Sequence, residues 1–324
     1  MECARIERDK NAGLEDVVAG QTSISTLAHG LEIRGYTIEQ LAASARYEEV
    51  LYLLLYGELP TAGELSALSE RLGAAATLPE PLLTLFRALP RETHTMDAMR
   101  SAASVLAHFD PESQLNSRDA NCRKAERLAV QLPLALAALY RLRQGAVPVD
   151  YDPHRSLPEN LLRMLLGQAP TSSMVAALNV SMVLYSEHDY NASAFAARVV
   201  VSTLSDLHSA MTAAIGALKG PLHGGANARA LDMVLQAGSP ERAEAWVHDM
   251  LARKQRIMGF GHRVYRQEDP RATLGKQVCR QLAIETGNER LEATADAIER
   301  SVRAAKQLPP NVDWPAARIY HYLG

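Results

Sequence analysis

The chain has 324 residues, 47% of them hydrophobic and 22% charged, with a formal net charge of −3. That is the composition of a globular protein of one large or two moderate domains, because single cores stop growing at about 250 to 300 residues. The weak charge excludes a general affinity for nucleic acid, and Cys3, Cys122 and Cys279, far apart and in no C-x-x-C pair, suggest neither a disulfide framework nor a zinc site.

The N-terminal "MECARIERDKNAGLEDVVAG" lacks the apolar stretch of a secretory signal, and no apolar run reaches the about 18 residues of a membrane span. The expectation is a cytoplasmic protein acting on small molecules, with no nucleic-acid, membrane or metal partner. Strand alternation is hard to find, and the hydrophobic rhythm is helical. In 39–56, "EQLAASARYEEVLYLLLY", Leu41, Tyr47, Val50, Leu51 and Leu54 line one face of a predicted helix. Further helices are predicted over 62–74, 96–109, 119–144, 158–167 and 171–186, with Pro60, Gly145 and Pro170 as punctuation. Segment 192–218 is rich in small residues and apolar on much of its circumference. It is expected to be a single helix near the protein's centre, buried between neighbours or across a subunit contact. Gly220 ends it. Ser239 and Pro240 supply an N-cap and a first-turn proline for a helix over 239–254, and 271–286 and 289–306 follow around Gly287. The fold class is all-α, with a large helical domain over 1–222 and a smaller helical domain over 223–324.

Four bent turns carry the candidate chemistry. In "GPLHGGAN", glycines on both sides of His223 permit φ > 0 and close approach to a ligand, although the same spacing also fits a tight turn with an incidental histidine. In "GFGHRVYRQEDPR", Gly259 and Gly261 invite a dinucleotide reading. That reading fails, because the third glycine is missing and no strand precedes the motif. Walker and H-E-x-x-H patterns are also absent. What remains is a glycine-flexed loop with His262, Arg266 and, just after Pro270 at a helix N-terminus, Arg271, where a guanidinium can fork onto a carboxylate or phosphate. Arg263 and Arg266 alone fit a solvated surface loop. In "EHDYNAS", His188 shortly precedes a helix start at Tyr190–Asn191, and "PNVD" ends a proline turn at Asp313. Each alone reads as a cap or turn. Together they place three histidines and an aspartate on loops, where catalytic groups gather.

These segments, with "GLEDVVAGQTSIS", "IRGYTIEQLA", "EEVLYLLLYGELPT" and "MRSAASVLAHFDPES", resemble the citrate synthase family in order and spacing over nearly the whole chain. The resemblance implies an enzyme that joins acetyl-CoA to oxaloacetate and hydrolyses the thioester to citrate and CoA, with no permanently bound cofactor and no metal. It implies two helical domains with the site in the cleft between them, and a homodimer. Asp313 matches the base that removes a methyl proton, His223 the donor to the enol oxygen and His262 the residue that polarises the oxaloacetate ketone. His188, Asn191 and Arg271 match substrate-binding positions, and Arg266, with Gly259 and Gly261, the CoA side. A thioester methyl is a very weak acid, so proton removal requires an aimed donor at the enol oxygen, worth about 3 to 4 kcal/mol in other enzymes. Tyr185-Ser186-Glu187-His188 and Trp314 look somewhat like 2-methylcitrate synthase, which uses propionyl-CoA. A non-catalytic CoA- or acid-binding relative is the other alternative. The family's chain continues past the segment matching "ARIYHYLG" into closing helices with two further substrate arginines. The expectation is a tail beyond Gly324, since an uncovered apolar face would be costly.

Overall fold

The structure, a computed structural model, describes residues 20–324 apart from 29, 222, 263, 264 and 266. Its first elements are three two-residue antiparallel strands, β1 (Ser25–Thr26), β2 (Glu32–Ile33) and β3 (Tyr36–Thr37), with Ile33 opposite Tyr36. Arg34 and Gly35 turn the β2–β3 hairpin at φ 51° and 88°, the left-handed pair that a two-residue hairpin requires. Strands this short give no alternation to read in the sequence.

Thr37 caps α1 (Ile38–Ser44): its hydroxyl accepts the Gln40 N–H, and the Gln40 side chain accepts the Thr37 N–H. The helix expected over 39–56 is in fact two, α1 and α2 (Tyr47–Tyr56). Ala45 and Arg46 are extended. Asn179 fastens the break, accepting the Tyr47 N–H at 2.8 Å and donating to the Ala45 carbonyl at 3.0 Å. A distant side chain thus satisfies backbone groups that a continuous helix would have paired.

Next come α3 (Ala62–Ala75), α4 (Glu80–Ala88), α5 (Thr95–Ala107), α6 (Arg118–Arg143), α7 (Leu157–Leu166) and α8 (Ser172–Leu184). Only α4 was not expected. Pro79 and Pro81 at its start read as loop, yet proline is tolerated in a first helical turn. The expected single helix over 192–218 is also two, α9 (Ala192–Val201) and α10 (Leu207–Leu218). Leu204 takes φ 64°, and Asp206 then accepts the Ser209 N–H to begin a new helix. Nor is the whole segment central. α10 buries His208, Ala210, Ala214 and Ile215, whereas α9 buries no residue within this chain.

The remainder is α11 (Ala226–Ala237), α12 (Pro240–Ala252), α13 (Pro270–Thr286), α14 (Glu289–Lys306) and α15 (Asp313–Leu323). α12, α13 and α14 fall where expected, and α11 and α15 were not foreseen. Fifteen helices among the described residues make the molecule all-α, and none is long and apolar enough to cross a membrane.

Three apolar clusters position the site. One joins α4, α5, α6 and α10 through Phe86, Leu128, Leu139 and Ile215. A second joins α11, α12, α14 and α15 through Val234, Val247, Ile298 and Trp314. A third packs α13 and α15 on α7 and α8 through Leu162, Leu178, Cys279 and Ile319. α15 therefore belongs to two clusters. It is also pinned to α14 by the fully buried Arg318, which donates to both Glu292 oxygens at 2.7 and 3.0 Å and to the Trp314 carbonyl at 2.7 Å. Tyr322 adds a third hydrogen bond to Glu292, at 2.9 Å.

Candidate active site

A cavity of about 1230 Å³ opens between α9, α10 and α11 and the start of α15, and His188, Asn191, His223, His262, Arg271 and Asp313 all line it. Six of the nine expected site residues are thus brought together. Of the other three, Arg266 lies outside the described residues, and Gly259 and Gly261 are not among the residues that line the cavity.

His223 sits in the turn between α10 and α11, its N–H donating to the Gly220 carbonyl at 2.9 Å. The expectation of φ > 0 for the flanking glycines is corrected: Gly220, Gly224 and Gly225 have none. Space is the reason for glycine here. A Cβ on Gly224 would lie 2.5 Å from Leu218 Cδ1 and 2.6 Å from the Leu218 carbonyl oxygen, so only glycine lets the turn fold back on α10. The His223 ring has Nε2 at 2.8 Å from Ser193 Oγ on α9.

The 259–262 loop is tied to the 309–311 turn. Gly261 N–H donates to the Pro309 carbonyl at 2.8 Å, Asn311 N–H to the Gly259 carbonyl at 2.9 Å, and Asn311 Nδ2 to the Gly261 carbonyl at 2.9 Å. Gly259 takes φ 83°, which L side chains rarely adopt, and a Cβ there would crowd Trp314 at 3.0 to 3.1 Å. With their backbones so occupied, the two glycines join the loop of His262 to the turn before Asp313.

His262 Nδ1 accepts the Tyr265 N–H at 3.2 Å, so a neutral ring carries its proton on Nε2. Burial first, then Arg271, hold its pKa below the ordinary value, against an opposing pull from Asp269. Its ring meets that of His188 edge to face, centroids 5.0 Å apart, and His188 Nε2 lies 3.2 Å from the Tyr265 hydroxyl. Burial, Arg271 and His262 together push His188 from 6.5 down to about 4. Asn191 caps α9 by accepting the Ala194 N–H at 2.9 Å.

Arg271, 5% exposed, does not hold its fork free. Nε and Nη2 bind the two oxygens of Asp269 at 3.0 and 2.9 Å. The same carboxylate caps α13 through the Arg271 N–H and accepts the Val312 N–H at 3.1 Å. One buried ion pair therefore fixes both the arginine and the backbone beside Asp313.

Asp313 opens α15. Its Oδ1 accepts from the Tyr185 hydroxyl at 2.7 Å and from Asn227 Nδ2 at 3.5 Å. Burial raises its pKa, while the Tyr185 hydrogen bond, Arg271 and His223 pull it down. The sequence singles out Tyr185 only for a likeness to 2-methylcitrate synthase and Asp269 only as part of the loop motif, and Ser193, Asn227 and Tyr265 not at all. They lie inside or beside the recognised segments, but their partners are set by the fold.

A family model described as "Citrate synthase, C-terminal domain" matches residues 13–324. The chain is 42% identical over 314 residues to "Citrate synthase 2" of Bacillus subtilis, covering 96% of this chain and 84% of that one. It is 40% identical over 324 residues to "2-methylcitrate synthase 2" of Corynebacterium glutamicum, covering 98% and 85%. Among solved structures, the citrate synthase of Thermoplasma acidophilum in ternary complex with carboxymethyl coenzyme A and oxaloacetate superposes with a TM-score of 0.90 at 32% identity, covering 95% and 83%. That of Pyrobaculum aerophilum gives 0.89 at 36%, covering 96% and 82%.

Proposed function

The chain belongs to the citrate synthase family, and from that premise we propose that it condenses acetyl-CoA with oxaloacetate and hydrolyses the thioester to citrate and CoA. The observation that carries this reading is the convergence of His223, His262 and Asp313, with His188 and Arg271, on one cavity. Asp313 removes the methyl proton. Burial keeps it a stronger base than an exposed aspartate, and the transfer is worth about 10² to 10⁴-fold. In this reading Ser193 Oγ, 2.8 Å from His223 Nε2, is assigned as the donor, which leaves the ring proton on Nδ1 to meet the charge growing on the thioester oxygen. His262, with its proton on Nε2, polarises the ketone of oxaloacetate. The neutral His188 and the cationic Arg271 hold the carboxylates, with Asn191 as a further substrate residue, and Arg266 is assigned to the CoA phosphates by its place in the family motif alone.

In this reading the lobes are 1–222 and 223–324, and the cavity between them closes over both substrates. The apolar cluster of α11, α12, α14 and α15 supports such a division, while α13 and α15 also pack across it on α7 and α8. The working form is a cytoplasmic homodimer with no permanent cofactor, and the free Cys122 and Cys279 suit a reducing compartment. A second reading, 2-methylcitrate synthesis from propionyl-CoA, is favoured by Tyr185 and Trp314 at Asp313. CoA release with oxaloacetate should be faster with acetyl-CoA than with propionyl-CoA. The reverse order of kcat/KM would exchange the two readings, and no release with either would overturn both.

A further inference from the structure

The proposed base is not a solitary carboxylate. Tyr185 is the C-cap of α8, Asn227 lies in the first turn of α11 and Asp313 opens α15, so three helices deliver one polar chain. Asn227 Nδ2 donates to the Tyr185 oxygen at 3.1 Å, and the Tyr185 hydroxyl donates to Asp313 Oδ1 at 2.7 Å. Asn227 Nδ2 also reaches the same Oδ1, at 3.5 Å. Each link polarises the next, so the final bond to the carboxylate is strengthened. The buried Oδ1 of Asn227 has no partner among the described residues. Asp313 N–H is held separately, donating to Asn311 Oδ1 at 3.0 Å, which fixes the backbone from which the carboxylate projects.

We propose that Tyr185, backed by Asn227, is a positioning residue that clamps Oδ1 of Asp313, so that the methyl proton of the acyl-CoA is received by Oδ2. The inference rests on the assignment of Asp313 as base. In that step the methyl C–H bond breaks, its electron pair passes into the enolate, and the proton bonds to Oδ2 while Tyr185 keeps its own proton. Oδ1 already accepts two donors on the side of α8 and α11, which leaves Oδ2 as the oxygen with lone pairs to spare. A clamped carboxylate cannot rotate away from the methyl group, and one placed without reorganisation reacts faster.

The clamp also sets the pH at which the base is ready. The charged and titratable groups around Asp313 are Tyr185 from α8, His223 from the turn before α11, Arg271 and Asp269 from the start of α13, and Tyr320 from α15 itself. Of these, the Tyr185 hydrogen bond is the largest influence favouring the ionised form. Without that hydroxyl, desolvation acts against a weaker set of partners, and ionisation requires a higher pH.

The test is the pH dependence of kcat in Tyr185→Phe, which keeps the ring and its packing, beside Asp313→Asn as the control. The expected result is that the acid limb moves to higher pH, with the rate on its acid side down roughly tenfold, the effect of one hydrogen bond to a charged group. The oxaloacetate KM should stay within about twofold. A merely structural role would lower kcat evenly across pH, and that result, or a profile identical to the parent's, overturns the clamp. If Asp313→Asn turns over at the parent's rate, the base assignment fails and the clamp with it. An inactive Asp313→Asn beside an unmoved Tyr185→Phe profile sinks the clamp alone.

Discussion

Arg271 shows how much one side chain can be asked to do. Its Nε and Nη2 are engaged by Asp269, so an oxaloacetate carboxylate must be met by the remaining donors of a guanidinium already aligned. Arg271→Lys keeps the charge and cannot bridge both Asp269 oxygens. The oxaloacetate KM is expected to rise roughly ten- to a hundredfold, the equivalent of about 1.5 to 3 kcal/mol for a charged hydrogen bond. Because Asp269 also holds the Val312 N–H, kcat should fall too, while the acetyl-CoA KM barely changes. An oxaloacetate KM equal to the parent's in steady-state kinetics would remove Arg271 from the substrate's first contacts. His188 gives a pH prediction. Its folded pKa, about 4, lies below the ordinary 6.5, so as pH falls the unfolded chain takes up this proton before the folded one does. The stability it contributes is fully present above pH 6.5 and is lost on the way down to about 4. Urea midpoints measured across that window should fall more steeply for the parent than for His188→Gln, and parallel slopes would refute the shift.

At the scale of the element, α15 carries the proposed base at its first residue and is anchored by Arg318 one turn further on. Arg318→Ala strands the Glu292 carboxylate in the interior, and loss of one partner of a buried pair typically costs about 3 to 5 kcal/mol. Thermal unfolding should report that loss. A double change to apolar residues at 292 and 318 should recover much of it, and equal damage from single and double variants would deny the coupling. The same helix shows what could be read in advance. Helices that open on a capping side chain, such as α3 and α6, or on a first-turn proline, such as α12, stand within a residue or two of their expected bounds. α11 and α15 were hidden because each begins directly on a motif whose glycines or prolines signal a turn. The break at Ala45–Arg46 depends on Asn179, more than a hundred residues away, and no local pattern announces it. The site was legible for the same reason that α11 and α15 were not. Bends expose His223, His262 and Asp313 as loop residues, whereas Tyr185, Ser193 and Asn227 acquire their meaning only when α8, α9 and α11 meet.

The whole molecule is where α9 finds its explanation. Along this helix Ser193 bonds His223, and Ala194 and Ala197 line the cavity, while Phe195 and Val199 point the other way. Val199 is 51% exposed and Leu204, just beyond the helix, 81%. A helix that buries nothing in its own chain yet holds such residues outward needs cover, and a contiguous apolar face of this kind marks an interface. A second copy of the chain is the cover we expect, across a two-fold contact in the size range of about 1,200 Å² or more that stable pairs use. Val199→Glu should leave the helix content of each subunit intact, since the site is exposed in the single chain and such changes usually alter stability by about 0.5 kcal/mol or less. In sedimentation equilibrium the parent should be a dimer, and the variant should shift towards monomer at micromolar concentration. Activity should fall along with it, because the face lost to water is the back of the wall that holds Ser193 against His223. A parent that sediments as a monomer, or a variant that stays dimeric with full activity, would place the subunit contact elsewhere and leave the outward face of α9 without a partner.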